Sequence, residues 1–233
     1  MKAIILAAGQ GSRLKKIHQL PKAFIEVPQI GLTLIERNIA ILRKNGVQEF
    51  LIVTGYKSNM FKKLIAKDVT IKKVDNYKKY NNYYSLLSVK KKIKGNLIIL
   101  FSDILVNEKI INRLSQSKKK ICLVIDKNNK LNDTMRVKLK KNKINDIGNH
   151  IMPKTADGNF IGIAKFNFIG SNILKKNLKN NKFFYKDYYI RALDEPIKRN
   201  MVSYIDVRKK FWIEIDNQKD LKKLSLITSQ NLK

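Results

Sequence analysis

Two cations and two carboxylates stand in this chain where they could handle a polyphosphate. Ala8-Gly9-Gln10-Gly11-Ser12-Arg13 follows at once on an apolar run that ends in Leu6-Ala7, and Pro21-Lys22 comes shortly after. A short strand ending in small residues lets backbone N–H groups converge on an anion, and glycines let the anion come close. Arg13 and Lys22 bring cationic side chains to the same place. Neither the Gly-x-Gly-x-x-Gly of dinucleotide loops nor the Gly-Lys-Ser/Thr of Walker loops is present. Much further along, Asp103 follows the apolar run 97–101, and Asp216 follows 211–215. A carboxylate at the tip of a central strand can hold Mg2+ against nucleotide phosphates, and a second one from another strand end suits a Mg2+-dependent phosphoryl-type transfer. Each carboxylate also has a plainer use, as the cap of the helix that follows it. The strand-end positions favour the metal.

These groups need elements to hold them. Thr33-Leu34-Ile35-Glu36 is a capping box, Ile35, Ile39 and Leu42 share one helical face, and Gly46 ends that helix. The pattern then predicts a strand over 50–54, a helix over 58–66, a strand over 69–74 and a helix over 81–93 that stops at Gly95. A fully apolar central strand over 97–101, a helix over 107–115 and a strand over 120–125 complete the first half. Alternation of this kind implies a doubly wound sheet that binds ligands at the carboxyl ends of its strands. After Asp126, Met135, Val137 and Leu139 alternate with cations, which reads as antiparallel strands with one solvated face, continued over 143–147 and 160–168. Helices over 171–178 and 185–193 (the second broken at Pro196), strands over 201–207 and 211–215, and a helix over 219–228 follow. With no linker and no repeat, the expectation is a single domain over 1–233, with a nucleotide-binding half (1–126) and an acceptor or lid half (127–233).

The 233 residues, 44% of them hydrophobic, suffice for a sizeable core, and no apolar run is long enough to span a membrane. The short apolar N-terminus runs straight into the glycine loop, so it is not read as a signal peptide. The one cysteine, Cys122, lies in a strand-like run and excludes a disulfide framework, and a cytoplasmic location is expected. The net charge of +31 raises nucleic-acid binding. Against it, only eight of the 49 cations are Arg, and the lysines are spread over nearly every segment. Such a field should instead speed the arrival of anionic substrates. His18 and His150 have no Ser or Cys partner and are read as surface residues.

In order along the chain, LAAGQGSRL, PKAF, NNYYSL, LFSDIL and FWIEID with a later DL resemble the CTP-dependent cytidylyltransferases that make CDP-choline or CMP-aminoethylphosphonate, within the sugar-phosphate nucleotidyltransferases. FSDILVNEKIINRL, ICLVID and the stretch 134–147 followed by Gly158 and Ile161-Gly162-Ile163 are similar to the phosphonate branch. The resemblance implies an α/β, GT-A-like mixed sheet flanked by helices, with a small antiparallel lid in the second half. It implies that Leu6, Ala7, Ala8, Gly9, Gly11, Ser12, Arg13 and Lys22 hold CTP. Asn82 and Ser85 would lie near the base, and Asp103 and Asp216 would bind Mg2+. Arg13 and Lys22 would be the catalytic groups in an attack by the acceptor's own anionic oxygen on the α-phosphorus. One departure is the connection Lys15–Leu20, which lacks the Pro-Leu-Thr of many relatives and leaves the shape of that loop open.

For the acceptor's cationic end, Asp133, Tyr84 and Trp212 are the favoured candidates, with Tyr83, Tyr188 and Tyr189 also weighed, and Lys165 is the candidate for its phosphate. The sequence orders 2-aminoethylphosphonate before phosphocholine. A sugar- or polyol-phosphate nucleotidyltransferase is the alternative within the class, and a basic nucleic-acid-binding protein the alternative outside it. No membrane partner is expected, and a homodimer stays open.

Overall fold

The first strand is apolar after its opening Lys2 because both of its faces are covered. In β1 (Lys2–Ala7), Ile4 and Leu6 enter one core layer while Ala3, Ile5 and Ala7 enter the other. The structure is a computed structural model that describes residues 1–14, 17–129 and 134–233. A small ribbon of β2 (Glu26–Val27) and β3 (Leu32–Thr33) leads into α1 (Leu34–Lys44), whose capping box forms as expected: Thr33 Oγ1 accepts from Glu36 N, and Glu36 accepts from Thr33 N. Then come β4 (Glu49–Thr54), β5 (Val69–Lys73), α2 (Asn82–Leu87), β6 (Leu97–Phe101), β7 (Ile104–Val106), α3 (Glu108–Ser115) and β8 (Ile121–Asp126). The second half supplies β9 (Arg136–Lys140), β10 (Lys143–Gly148), β11 (Gly158–Phe166), α4 (Phe168–Asn177), α5 (Asp194–Lys198), β12 (Val202–Asp206), β13 (Trp212–Glu214), α6 (Gln218–Ser225) and α7 (Ser229–Leu232).

One sheet joins strands from both halves, in the order β10-β9-β11-β6-β1-β4-β5, with β8 beside β11 and β12 beside β8. β6, β1, β4 and β5 run parallel. β11 is antiparallel to β6, β8 and β9, so β6 is a parallel strand only on its β1 side. The result is the expected mixed α/β sheet, and the hairpin β9–β10 extends its far edge. Cys122 is buried within it, as expected.

Three helical readings are corrected, one of them by tertiary hydrogen bonds that local pattern does not report. The helix expected over 81–93 stops at Leu87, and Ser88 Oγ turns back to Ser85 O (2.7 Å). The segment 185–193 is not one helix but a chain passage ending in a 3-10 turn at Tyr189–Leu193. Its carbonyls Tyr185 O and Asp187 O are taken by the N–H groups of Asn81 and Tyr83, and Tyr189 N donates to Asn82 Oδ1 (2.7 Å). The 58–66 segment is likewise a 3-10 helix, Ser58–Leu64. Pro196 does not break a helix either, because it lies in the first turn of α5, where no intrahelical donor is needed.

A third cluster sits beneath the glycine loop and closes the molecule at that end. Leu14, Ile25 and Leu34 pack there with Leu105 of β7, Ile213 and Ile215 around β13, and Leu224, Ile227 and Leu232 of the C-terminal segment. Buried polar side chains of α1 fix the same ribbon. Asn38 Nδ2 donates to Ile104 O (3.0 Å), and Arg37 Nη2 donates to Val106 O (2.7 Å) and Leu232 O (3.3 Å). Burial lowers the Arg37 pKa to about 10. Arg37→Ala would strand these carbonyls, so it should cost about 2–4 kcal/mol of stability in urea denaturation, on the scale of one or two unsatisfied buried groups. A loss below ~1 kcal/mol would mean that water replaces the guanidinium without penalty.

Candidate active site

The turn that follows β1 is shaped for an anion. Gly11 has φ +61°, in the left-handed region, and Leu14 N closes the turn onto Gly11 O at 2.9 Å. Across from it, Ala8 O accepts from Tyr56 N at 3.2 Å. A Cβ on Gly55 would stand 2.7 Å from that same oxygen and 2.5 Å from the Tyr77 ring, so only glycine lets β4 end this close to the loop.

The carboxylates arrive by strand pairing. β6 leaves the sheet after Phe101, and β7 pairs antiparallel with β13 so that Glu214 stands opposite Ile104. Ile215 N continues the ladder to Asp103 O at 3.0 Å. This register gathers Asp103, Glu214 and Asp216, each offering an oxygen within 4.8 Å of the others. Neither aspartate serves as a helix cap, since Asn107 caps α3 and Asn217 caps α6. Asp220, in the capping box of α6, accepts from Asp216 N and Asn217 N, both at 3.0 Å, and fixes the Asp216 backbone.

Lys22 enters from a 3-10 turn (Lys22–Phe24) behind Pro21, and its ammonium donates to Asp103 Oδ2 at 3.0 Å and to Asp216 Oδ1. Burial works against that charge, but Asp103 and Asp216 outweigh it and raise the Lys22 pKa. Arg13 Nη1 lies 3.5 Å from Asp216 Oδ2 with more than half of its side chain exposed. Burial first, and then the charges of Asp103 and Asp216, push the Glu214 carboxyl up to about 8. The cluster is therefore short of positive charge, and its hard oxygen donors fit Mg2+ or Mn2+.

Two cavities meet at this cluster. The first is lined by Leu6, Ala7, Ala8, Gly9, Gly11, Arg13, Lys22, Asn82, Ser85 and Asp103, together with Tyr77, Tyr80, Asn81, Phe101, Tyr188, Glu214 and Asp216 among others. The second is lined by Thr134, Met135, Asn149, Phe160 and Gly162, and shares Arg13, Phe101, Tyr188 and Glu214 with the first. Burial and the nearby Glu214 raise the pKa of the shared Tyr188 phenol.

The structure thus brings the residues expected at the nucleotide to one cavity, apart from Ser12, which is exposed and does not line it. Three residues expected at the acceptor lie elsewhere. Lys165 is drawn down at the other end of β11, where its ammonium holds Ser115 O and Ser117 O (2.8 Å). Trp212 Nε1 donates to Asp126 Oδ2 at 2.7 Å and lines neither cavity. Tyr84 stacks with Tyr80 and Tyr185, both at 4.8 Å, beside a different groove. Asp133 is outside the described residues. His18 is half-buried rather than at the surface, whereas His150 is exposed and pairs with Asp146 at 2.9 Å. Glu214 was legible in principle, because it stands two residues before Asp216 within the run read as a strand over 211–215 and its end, and so shares its face. Tyr77 and Tyr80 carry no signal beyond being tyrosines in a lysine-rich stretch.

Comparison with known proteins places the chain in a family of nucleotidyltransferases. Residues 3–137 match the model of the MobA-like NTP transferase domain. A choline-phosphate cytidylyltransferase of Streptococcus pneumoniae is 38% identical over a region that covers 50% of this chain and 51% of that protein. A CTP:phosphoglutamine cytidylyltransferase of Campylobacter jejuni is 27% identical over 95% of this chain and 98% of its own. The chain spans about half the length of several other curated relatives that it matches. The solved CTP:phosphocholine cytidylyltransferase of S. pneumoniae superposes with a TM-score of 0.80 at 26% identity, covering 97% of each chain.

The loop gives a sharp test. A Cβ on Gly11 would lie 3.1 Å from Lys22 Cγ, and its φ of +61° would strain any L residue. Gly11→Ala should cost about 1–2 kcal/mol in stability, from the left-handed backbone alone. It should also weaken CTP binding in titration calorimetry. Unchanged melting and unchanged CTP affinity would show that the loop relaxes freely.

Proposed function

The chain belongs to the MobA-like NTP transferase domain family, and from that premise we propose that it transfers CMP from CTP to a small phosphorylated or phosphonate acceptor that bears an amine. The observation that carries this reading is the meeting of two cavities at one charged divide. The glycine loop, Lys22, Asn82 and Ser85 belong to one side, Thr134, Met135 and Phe160 to the other, and Arg13 and Glu214 to both. CTP in the first cavity and the acceptor in the second would present their reacting groups to each other across that divide.

The chemistry needs no protein nucleophile. The acceptor's phosphate or phosphonate oxygen is already anionic, attacks the α-phosphorus in line, and pyrophosphate leaves. Arg13 and Lys22 offset the charge that accumulates on the phosphates as the bond breaks. Asp103, Glu214 and Asp216 are the residues that would hold Mg2+, which when bound supplies further positive charge at the phosphates. Tyr77, Tyr80, Asn82 and Ser85 line the same cavity, which supports assigning them to the base and ribose.

Among acceptors we place 2-aminoethylphosphonate first, on the resemblance of 134–147 to the phosphonate branch. Phosphocholine is the second reading, favoured by a specific observation: Phe101, Phe160 and Tyr188 all line the second cavity, and aromatic faces suit a quaternary ammonium.

Pyrophosphate release across four nucleoside triphosphates and a panel of 2-aminoethylphosphonate, phosphocholine and hexose 1-phosphates tests the proposal. CTP with an amine-bearing acceptor should give the highest kcat/KM. A preference for hexose 1-phosphates would move the chain to the sugar-phosphate branch, and salt-sensitive DNA binding without pyrophosphate release would remove it from the enzymes. Asp103→Asn or Asp216→Asn should each lower turnover by ~10²-fold or more, the scale of one lost electrostatic stabiliser, with the circular dichroism of the fold retained. Lys22→Ala should lower kcat as well as CTP affinity, because phosphate charge grows toward the transition state. A change in KM alone would assign Lys22 to ground-state binding.

A further inference from the structure

The position of Lys22 does not follow from phosphate binding. Its ammonium is held by the carboxylates, donating to Asp103 Oδ2 at 3.0 Å and to Asp216 Oδ1. Its stem meanwhile lies across Gly11, whose Cβ position is 3.1 Å from Lys22 Cγ and 3.5 Å from Cε. The head group is therefore hinged at the edge of the anion-binding turn. A lysine head group can swing by rotation about its last side-chain bonds while its backbone stays fixed.

We propose that Lys22 is a built-in stand-in for the divalent cation: it neutralises the carboxylate cluster while the nucleotide is absent and yields that place when nucleotide phosphates draw it onto the loop. The inference rests on the reading of Asp103, Glu214 and Asp216 as the cation site. Asp103 and Asp216 crowd negative charge beside the Glu214 carboxyl, with oxygens of all three within 4.8 Å, and a cation among them relieves that crowding. The side chains of Lys22, Asp103 and Asp216 are each less than one-fifth exposed, so solvent screens the interaction poorly. A free divalent ion must compete with a tethered ammonium whose local concentration is fixed by the chain. Triphosphate removes that competitor by offering it a better partner, and supplies its own oxygens to the ion at the same time. Metal and nucleotide then load together, and the protein without nucleotide holds metal weakly.

The sign of one variant separates this from a simple phosphate-binding role. Lys22→Met removes the competitor, so Mn2+ should bind the nucleotide-free protein at least ~10-fold more tightly than it binds the wild type, about 1.4 kcal/mol. Lys22→Arg keeps a cation and should not tighten it. Isothermal titration or Mn2+ electron paramagnetic resonance reads both. Should Lys22→Met fail to fold, the wild type answers through amine acylation of Lys22 followed by peptide mass spectrometry. Saturating Mn2+ alone should raise Lys22 labelling, and Mn2+ with CTP should lower it again. Mn2+ binding equal in Lys22→Met and wild type, or Mn2+ occupancy that leaves Lys22 labelling unchanged, overturns the inference. Asp216→Asn keeps the two claims distinguishable. If it weakens Mn2+ binding in the presence of CTP while Lys22→Met is no tighter, the cation site stands and the stand-in falls. If Asp216→Asn changes nothing, the cation site itself falls, and the stand-in with it.

Discussion

Like charge held at close quarters is the constraint to which the rest of this molecule answers. Asp103, Glu214 and Asp216 are three of only 18 acidic residues in a chain with 49 Lys and Arg, and folding forces their oxygens to within 4.8 Å of one another. No local preference of the chain would put them there. They are held by the pairing of β7 with β13, by the Asp220 cap on the Asp216 backbone, and from behind by Arg37 and Asn38 of α1. The packing of Leu14 and Ile25 against Ile213 and Ile215 supplies the apolar driving force for the same approach. Burial by this support raises the pKa of Glu214 and makes positive charge valuable at that point.

The positive field of the chain takes on a second meaning beside this cluster. Among the described residues most of the lysines are exposed or partly exposed, and acids are scarce. A nucleoside triphosphate and a phosphorylated acceptor are both anions and would be drawn in from all sides. The carboxylates are the local exception, and they sit at the divide between the two cavities. An anion steered inward by the general field would meet a negative spot, and the nearby cations Arg13 and Lys22 would have to position it rather than net charge alone.

Much of this was legible in the sequence because the relevant signals are local. The small residues after β1, the Thr33 capping box and the acids at the ends of 97–101 and 211–215 each announce themselves within a few positions. The fold class followed from strand–helix alternation in the first half and polar–apolar alternation in the second. What was not legible depends on contacts between distant segments. The segment 185–193 has helical composition, yet its carbonyls are claimed by Asn81 and Tyr83. Lys165 reads as a cation for the acceptor's phosphate, yet carbonyls at and just past the end of α3 capture it. Trp212 shares a strand with Glu214 but spends its N–H on Asp126. In each case a hydrogen bond across more than 40 positions outweighed a local preference worth a few tenths of a kcal/mol.

The loop and its charge cluster also set a timetable. Lys22 and Asp216 are 194 positions apart, and Leu14 beneath the loop packs with residues as late as Leu232. A growing chain on the ribosome can form β1, the loop and most of the parallel sheet while two of the three carboxylates are still unmade. Contacts of such sequence separation close last, because the entropy of the intervening chain must be overcome first. The glycine loop is therefore made before its acidic neighbours, and the step that seals its underside is the same step that delivers Glu214 and Asp216. Proofreading of the fold is thereby built into the chemistry: a chain whose final segment fails to dock is left without most of its acidic cluster rather than with a faulty one.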